Sequence, residues 1–305
     1  MPGRTLLQAA PPVTFGLKAA GWLGAIRRSR VRLAHSFSEA LILQLGGAVG
    51  TLSVLGEKGP EVAEALAAAL GLACPDAPWH THRDRLAALV CACGVLTGSL
   101  GKMARDISLL MQSEVGEAAE RASEGRGGSS TMPHKRNPIG CAVAIAAAIR
   151  MPGLVASYLS AMVQEHERSL GGSQSEWPTI AAVIQTTGVA AASIREIAEG
   201  LSIDAARMRQ NIAATQGTIF TEKAMIVLAG KLGREKAHKL LEDATREVVS
   251  ENRPLADVLA EMPEVAKHFE KTVLEQLSDP ELYLGSAEQF RLALLRNHTP
   301  IGKKD

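Results

Sequence analysis

The segment IGCAVAIAAAI, residues 139–149, is small and apolar at every position. A helix with apolar side chains on all faces has to be covered on all faces, and a single neighbouring helix cannot do that. Strand signals are scarce elsewhere in the chain, and apolar positions recur at helical spacing. The sequence therefore predicts an all-α fold in which a bundle of long helices surrounds this segment.

Helical periodicity and helix-start residues give approximate bounds for these helices. Pro60 suits the first turn of a helix, and Asn137 followed by Pro138 reads as an N-cap followed by proline at the first helical position. A kink is expected at Pro152. The expected ranges are 13–43, 60–70, 81–120, 138–168 and 178–200, with a short helix starting near Asp204.

The pattern changes beyond Gly217, where shorter helices alternate with charged turns. This change predicts two domains. Residues 1–216 would form the central long-helix bundle domain, and residues 217–305 would form a small helical C-terminal domain.

Composition excludes several function classes. The chain has 33 basic and 32 acidic residues among 305, a net charge of +1, so no bulk attraction to nucleic acid or to a membrane surface is expected. No apolar run approaches the roughly 18 residues of a membrane span, and the first residues do not resemble a signal peptide. The four cysteines lack paired metal-ligand spacing, which predicts no metal site and a reduced, cytoplasmic setting.

Three polar islands interrupt the helices: GRTLLQ at residues 3–8, GGSSTMPHKRNP at residues 127–138 and HERSLGGSQSEW at residues 166–177. Each adjoins the end of a predicted long helix. Bundling of these helices is expected to bring residues from different islands together.

The second island carries the most chemistry. Its glycines permit mobility, and Ser129 and Ser130 offer two adjacent hydroxyls. Lys135 and Arg136 place positive charge beside the expected helix start at Asn137, where helix amides and cations favour anions. Together with Arg168 and Ser173 of the third island, these groups predict a pocket for a multiply anionic small molecule, closed by a mobile loop.

Other interpretations of these residues stay open. The same loop composition also fits a solvated connector. The P-loop pattern G-x-x-x-x-G-K-[ST] is absent, and no G-x-S-x-G supports Ser-His-Asp chemistry. His80 and His82 flank an expected helix start and could approach a site, although structural roles are favoured for both.

The stretch GSSTMPHKRNP, residues 128–138, resembles the signature loop of the fumarase/aspartase superfamily, which includes argininosuccinate and adenylosuccinate lyases. The resemblance continues through LGGAVGT, PWHTHRDR, HERSLGG, SEW and YLGSAEQF, and so covers essentially the whole chain. Within the superfamily, these stretches look most like the bacterial 3-carboxy-cis,cis-muconate cycloisomerases. The resemblance implies a homotetramer whose long helices form a central bundle, active sites assembled from three subunits, and no metal or organic cofactor.

The resemblance also implies roles for individual residues. Ser130 matches the serine of the mobile loop that transfers the proton, and Ser129 is the neighbour that could be confused with it. The residues expected to contact the substrate are Thr5, Gln8, Ser129, Lys135, Asn137, Arg168 and Ser173.

Two departures from the lyase pattern are informative. The lyases carry histidine in T-H-L-Q where this chain has Leu6, and glutamate in N-P-x-x-x-E where it has Ala142. Their joint loss implies a changed acid/base arrangement and argues against an adenylosuccinate lyase. The expected reaction is lactonisation of 3-carboxy-cis,cis-muconate, a tricarboxylate, to 4-carboxymuconolactone in protocatechuate breakdown. The alternatives are a lyase that releases fumarate and a truncated paralogue that is catalytically dead and only oligomerises.

A third departure concerns the start of the chain. Family members carry an N-terminal domain and the start of the first long helical region before GRTLLQ, whereas here Met1 almost adjoins that motif. The resemblance therefore implies an N-terminally truncated chain that lacks another segment of the active site.

Overall fold

The computed structural model describes residues 1–121, 127–128, 132 and 135–296. Helices dominate these residues, and the all-α fold class is confirmed. The helices are α1 Phe15–Ala40, α2 Gly59–Leu70, α3 Asp84–Leu110, α4 Ile139–Ser160, α5 Gly172–Gly200, α6 Ala205–Ala213, α7 Thr221–Leu232, α8 Arg234–Glu251, α9 Leu255–Glu261, α10 Pro263–Ala266, α11 Lys271–Gln276 and α12 Ala287–Arg296. Short strands are β1 Pro2–Thr5, β2 Gln8–Pro12, β3 Ala118–Ala119 and β4 Ser202–Ile203, and 3-10 turns occur at Ser53–Lys58, Thr218–Phe220 and Pro280–Tyr283.

The predicted long helices all exist, but some of their ends were wrong. α3 stops ten residues short of the expected position 120, and the chain turns at Gly116, which has a φ of +62°. α4 stops at Ser160 instead of near 168, and Pro152 lies inside it. α5 begins six residues before Pro178, because the Gln174 side chain accepts the Gly171 amide and caps an earlier start.

The start of α6 near Asp204 is confirmed. The Asp204 carboxylate accepts a hydrogen bond from the Arg207 amide at 2.8 Å. Aspartate at this position satisfies an amide that the helix itself leaves unpaired.

The described residues group into two compact units. The first consists of those in Met1–Gly21, Gln112–Glu117 and Ile203–Thr299, and the second of those in Trp22–Met111 and Ala118–Ser202. The predicted division into domains 1–216 and 217–305 stays a prediction.

The first unit has an aliphatic core built mainly by α7, α8, α9 and α11. Small and branched side chains alternate in it, which lets the short helices pack closely. Its most deeply buried members are Ala224, Leu228, Ala237, Ala244, Val258, Leu259, Val265 and Leu274.

The second unit is built around the packing of α3, α4 and α5. The side chains between these helices are mostly small, which permits close approach of the helix backbones. The added Cβ of an alanine at Gly101 of α3 would lie 2.4 Å from Ala148 Cβ of α4. The core residues of this bundle include Leu100, Ala104, Ile107, Cys141, Ala144, Ala147, Met151, Tyr158, Val183, Ala190 and Ile194.

The expectation that α4 is buried on all sides is not met within one chain. Cys141 and Ala144 are fully buried, whereas Ile149 is 72% exposed and Val143 is 36% exposed.

By length and composition alone, α3, α4 and α5 are each long and apolar enough to cross a membrane. The sequence-based statement that no segment approaches such a span was therefore wrong on those criteria.

Candidate active site

Thr5 and Gln8 face each other across the tip of a β-hairpin in the first unit. β1 and β2 pair antiparallel, and Thr5 and Gln8 are the last pair before the turn. The turn consists of Leu6 and Leu7, with φ of +49° and +65°, the left-handed pattern of a two-residue type I′ turn. Leu6 is 96% exposed. The hairpin thus presents both predicted pocket residues, and it presents an apolar side chain where the lyases carry a histidine.

A buried carboxylate fixes this hairpin close to its tip, where Arg4 pairs with Ala9. Arg4 in β1 donates two hydrogen bonds to Glu117, at 2.7 and 2.9 Å, and the Glu117 side chain is 0% exposed. Asn211 in α6 donates a third, to Glu117 Oε1, at 2.8 Å. This bidentate, charge-assisted arrangement ties the hairpin to α6 and to residues 112–117. These contacts were not predicted from the sequence.

The two predicted loop serines, Ser129 and Ser130, lie outside the described residues, as does His134. Around them, the Asn137 amide donates to the Gly127 carbonyl at 2.8 Å, and the Lys135 amide donates to the Met132 carbonyl at 2.9 Å. The Lys135 side chain is exposed and the Asn137 side chain is half-buried.

The amides at the start of α4 have protein partners already. Glu120 accepts hydrogen bonds from the Gly140 amide at 2.9 Å and the Cys141 amide at 2.8 Å. The Ile139 amide donates to the Asn137 carbonyl, and the Ala142 amide donates to the Pro138 carbonyl.

Two expectations about this helix start were therefore wrong. Pro138, not Asn137, occupies the N-cap position of α4, and no side chain at that position caps the helix. The amides expected to bind a substrate anion are occupied by the carboxylate of Glu120. Among the described residues, Lys135 and Arg136 supply positive charge beside this end of α4.

Arg168 and Ser173 lie at the other end of α4. Arg168 is exposed, and its guanidinium donates to the carbonyls of Gly47 and Ala48, the latter at 3.0 Å. Ser173, in the first turn of α5, is half-buried and donates to Gln174 Oε1 at 3.2 Å. A Cβ added at Gly172 would lie 3.2 Å from the Ala161 carbonyl oxygen. The segment containing Arg168 therefore returns to the C-terminal end of α4.

Within one chain, the predicted contacts of the second unit do not form one pocket. Lys135 and Asn137 precede α4, while Arg168 and Ser173 follow it. The 22 residues of α4 extend about 33 Å at 1.5 Å per residue. The two groups of side chains are thus too far apart to contact the same small molecule.

A buried ion pair fixes the same end of the second unit as Arg168. Arg83 donates through Nε to Glu176 Oε2 at 2.9 Å, and a second guanidinium nitrogen donates to Oε1. The Tyr158 hydroxyl also donates to Glu176, at 3.4 Å. Burial, with the adjacent Glu176 charge, raises the pKa of Tyr158 to about 12. The sequence interpretation missed this group, because Glu176 lies in the third polar island, where a glutamate does not stand out.

Cys141, at the start of α4, is buried and is not a candidate nucleophile. Burial, followed by the neighbouring Glu120 carboxylate, raises the pKa of Cys141, so the thiol form persists and is unreactive. No group of three or more potential metal-ligating side chains occurs among the described residues.

Comparison with known proteins gives matches over most of the chain. A family model described as lyase matches residues 1–153, and one described as adenylosuccinate lyase C-terminus matches residues 217–291. The 3-carboxy-cis,cis-muconate cycloisomerase of Pseudomonas aeruginosa is 49% identical over 98% of this chain and 65% of its own length. The protein of the same name from Bradyrhizobium diazoefficiens is 49% identical over 94% of this chain and 64% of its own length.

A solved structure shows the same relationship. The 3-carboxy-cis,cis-muconate lactonizing enzyme from Pseudomonas putida superposes with a TM-score of 0.89 at 48% identity, and the match covers 97% of this chain and 65% of that one. The chain therefore spans just under two thirds of the length of the relatives it matches.

Proposed function

This chain belongs to the lyase family, and we propose that it acts as a 3-carboxy-cis,cis-muconate cycloisomerase in aromatic catabolism. The observation that carries the proposal is 49% identity, over 98% of the chain, to a protein of that name. The hairpin tip agrees with it, because Leu6 has no proton to exchange where the lyases carry a histidine. The resulting chemistry needs a different proton-transfer group.

The proposed reaction joins a carboxylate oxygen of the substrate to one carbon of its own carbon–carbon double bond. The electron pair of that bond moves to the second carbon and delocalises into the carboxylate attached there. Ser130 then delivers a proton, drawn from solvent, to this second carbon. The product is the γ-lactone 4-carboxymuconolactone, and the reverse reaction is a β-elimination.

The remaining predicted residues bind the charges of the tricarboxylate. Lys135 and Arg168 supply positive charge, which stabilises the negative charge that develops on the carboxylate in the transition state. Asn137, Ser173, Thr5 and Gln8 supply neutral hydrogen bonds, and Ser129 lies next to the proton donor. Neither a metal ion nor an organic cofactor takes part in this scheme.

The active site is proposed to form between copies of the chain. Lys135 and Arg168 stand at opposite ends of α4, so a second copy has to supply one of them. Exposed apolar side chains on α4, such as Ile149, need a cover, and a homotetramer with α4 near its centre provides one. In this arrangement the apolar helices pack against each other in a cytoplasmic, soluble enzyme.

The proposal is tested by mixing the purified chain with 3-carboxy-cis,cis-muconate and following the loss of diene absorbance. Loss of the diene with formation of the lactone supports the proposal. An adenylosuccinate or argininosuccinate lyase activity would instead release fumarate from a succinyl adduct. No reaction with either kind of substrate, in a chain that assembles, would establish the paralogue that only oligomerises.

A further inference from the structure

One short turn in the second unit contacts both His80 and Arg168. Gly46 packs so closely against the histidine that an added Cβ would lie 2.7 Å from His80 Cε1. The next two residues, Gly47 and Ala48, accept hydrogen bonds from the Arg168 guanidinium through their carbonyl oxygens. The two side chains are therefore held against three consecutive residues, although they are far apart in the sequence.

The main chain at His80 is fixed by buried partners. The Trp79 amide donates to Gln44 Oε1 at 3.0 Å, and the Trp79 indole donates to the Leu43 carbonyl at 2.9 Å. Arg83, itself paired with Glu176, donates to the Trp79 and His80 carbonyls at 3.5 and 3.4 Å. A site residue needs such support, because small displacements of a binding group are costly.

The electrostatics make His80 a neutral hydrogen-bonding group. Burial lowers the pKa of His80, and the cations Arg168 and Arg83 lower it further. At neutral pH the half-buried ring therefore carries one N–H donor and no charge. Arg168 supplies the positive charge beside it.

We propose that His80 and Arg168 together bind one carboxylate of the substrate, with His80 donating a hydrogen bond and Arg168 providing the charge. The inference rests on the proposed function, in which Arg168 is a substrate contact. It adds a second residue to that contact and gives the close packing of Gly46 against the ring a purpose in binding. His80 is a binding group here, and Arg83 with Glu176 holds it in position.

The test measures binding of tricarballylate, a saturated tricarboxylate, to the full chain by isothermal titration calorimetry. His80→Ala removes the donor and is expected to weaken binding about ten- to hundredfold, the usual range for a hydrogen bond to a charged group. His80→Gln keeps a neutral N–H donor and is expected to stay within about threefold of the parent. His82→Ala, an exposed histidine two residues away, is the matched control and should bind as the parent does.

A Gly46→Ala variant gives a second test that leaves both side chains intact. Its methyl group would lie 2.7 Å from both His80 Cε1 and Pro78 Cβ, so the segment that carries His80 has to shift away from the turn, and weaker binding is expected. Gly98→Ala is its control, because an added Cβ there meets nothing within 4 Å.

Several outcomes would overturn the pair. If His80→Ala binds tricarballylate as tightly as the parent does, His80 does not contact the carboxylate. Equal weakening by His80→Ala and His80→Gln, with a matching loss of unfolding free energy, means that the ring only packs against Gly46. Absence of tricarballylate binding by the unaltered chain also overturns the pair.

The proposed function fails separately, because its readout is turnover. If tricarballylate binding depends on His80 but 3-carboxy-cis,cis-muconate is not lactonised, the carboxylate pair stands and the proposed reaction does not. If lactonisation proceeds but His80→Ala binds tricarballylate as the parent does, the proposed reaction stands and the carboxylate pair does not.

Discussion

Arg4 and Glu117 form a two-point ion pair across 113 residues of sequence, with hydrogen bonds of 2.7 and 2.9 Å to a fully buried carboxylate. Removing one partner from a buried pair leaves an uncompensated charge, which usually costs about 3–5 kcal/mol. The Arg4 side chain keeps 27% exposure, and Asn211 still donates to Glu117, so part of that cost is relieved.

Arg4→Ala is therefore expected to lower the free energy of unfolding by about 2–4 kcal/mol. Urea denaturation followed by circular dichroism at fixed protein concentration measures it. Arg209→Ala is the control, because Arg209 and Glu281 pair at 3.2 Å on the surface with about 70% exposure, and its effect should stay within about 0.5 kcal/mol. Equal effects of the two substitutions would contradict a structural role for the buried pair.

Glu120 replaces the missing side-chain cap of α4. Glu120→Ala leaves the Gly140 and Cys141 amides without their acceptor, and loss of an N-terminal cap typically costs about 0.5–2 kcal/mol. We expect a loss of about 1–2 kcal/mol in the same denaturation measurement. Glu114→Ala serves as the control, since the Glu114 side chain is exposed and the bond that the described residues show at Glu114 is to its main-chain carbonyl, from Arg207. A stable Glu120→Ala protein would show that water caps the helix adequately.

The Arg83–Glu176 pair permits a comparison of single and double substitutions. Glu176→Ala strands a buried guanidinium and should cost about 3–5 kcal/mol. Replacing both partners, as Arg83→Met with Glu176→Leu, removes both charges and should restore most of that stability.

The comparison is made by urea denaturation of the parent, the Glu176→Ala variant and the double variant. Glu264→Ala, which breaks the exposed Lys236–Glu264 contact, is expected to change little. A double variant as unstable as Glu176→Ala would mean that lost packing, rather than the stranded charge, dominates.

The lowered pKa of His80 predicts a specific pH dependence. The unfolded chain has the usual histidine pKa of 6.5, so on acidification it takes up the proton before the folded chain does. The stabilisation is therefore fully present above pH 6.5 and is lost as the pH falls toward the lower pKa of the folded state. Arg168 and Arg83, the charged groups that lower this pKa, remain charged throughout.

Unfolding free energies of the parent and of His80→Gln, compared between pH 5 and pH 8, check this dependence. As the pH drops, the unfolding free energy of the parent should fall relative to that of His80→Gln. A difference that is constant over the range would mean that His80 titrates alike in the folded and unfolded states.

Ser130→Ala tests the proposed proton transfer. A positioned proton-transfer group contributes about 10²–10⁴-fold to a rate, so turnover of 3-carboxy-cis,cis-muconate should fall by a factor in that range while assembly is unchanged. Diene absorbance and size-exclusion chromatography measure the two quantities. Ser129→Ala is the comparison variant. If it lowers turnover more than Ser130→Ala does, Ser129 rather than Ser130 is the proton-transfer group.

Features that depend on residues close together in the sequence could be predicted. The long helices follow from their periodic apolar positions, and the start of α6 follows from Asp204, which bonds an amide three residues away. The hairpin at the start of the chain was missed because its turn is Leu6-Leu7. Left-handed turn positions usually carry glycine, asparagine or aspartate, so two leucines give no turn signal.

Contacts between distant residues explain what the sequence could not predict. Glu120 reaches amides 20 and 21 residues away, and Arg83 reaches a carboxylate 93 residues away. Periodicity places each charged residue on an element but does not name its partner. Lys135, Asn137, Arg168 and Ser173 are expected in one site, yet α4, like the helix expected over residues 138–168, holds them at opposite ends within one chain.

The length of α4 thereby becomes a determinant of the site. Inserting one residue into this helix would move its far end by about 1.5 Å and rotate it by about 100°, so Arg168 would point in a new direction relative to Lys135 in every copy of an assembly at once. An insertion of seven residues, close to two full turns, would restore the direction but add about 10 Å of separation. A change in the number of residues of α4 therefore alters both ends of the site together.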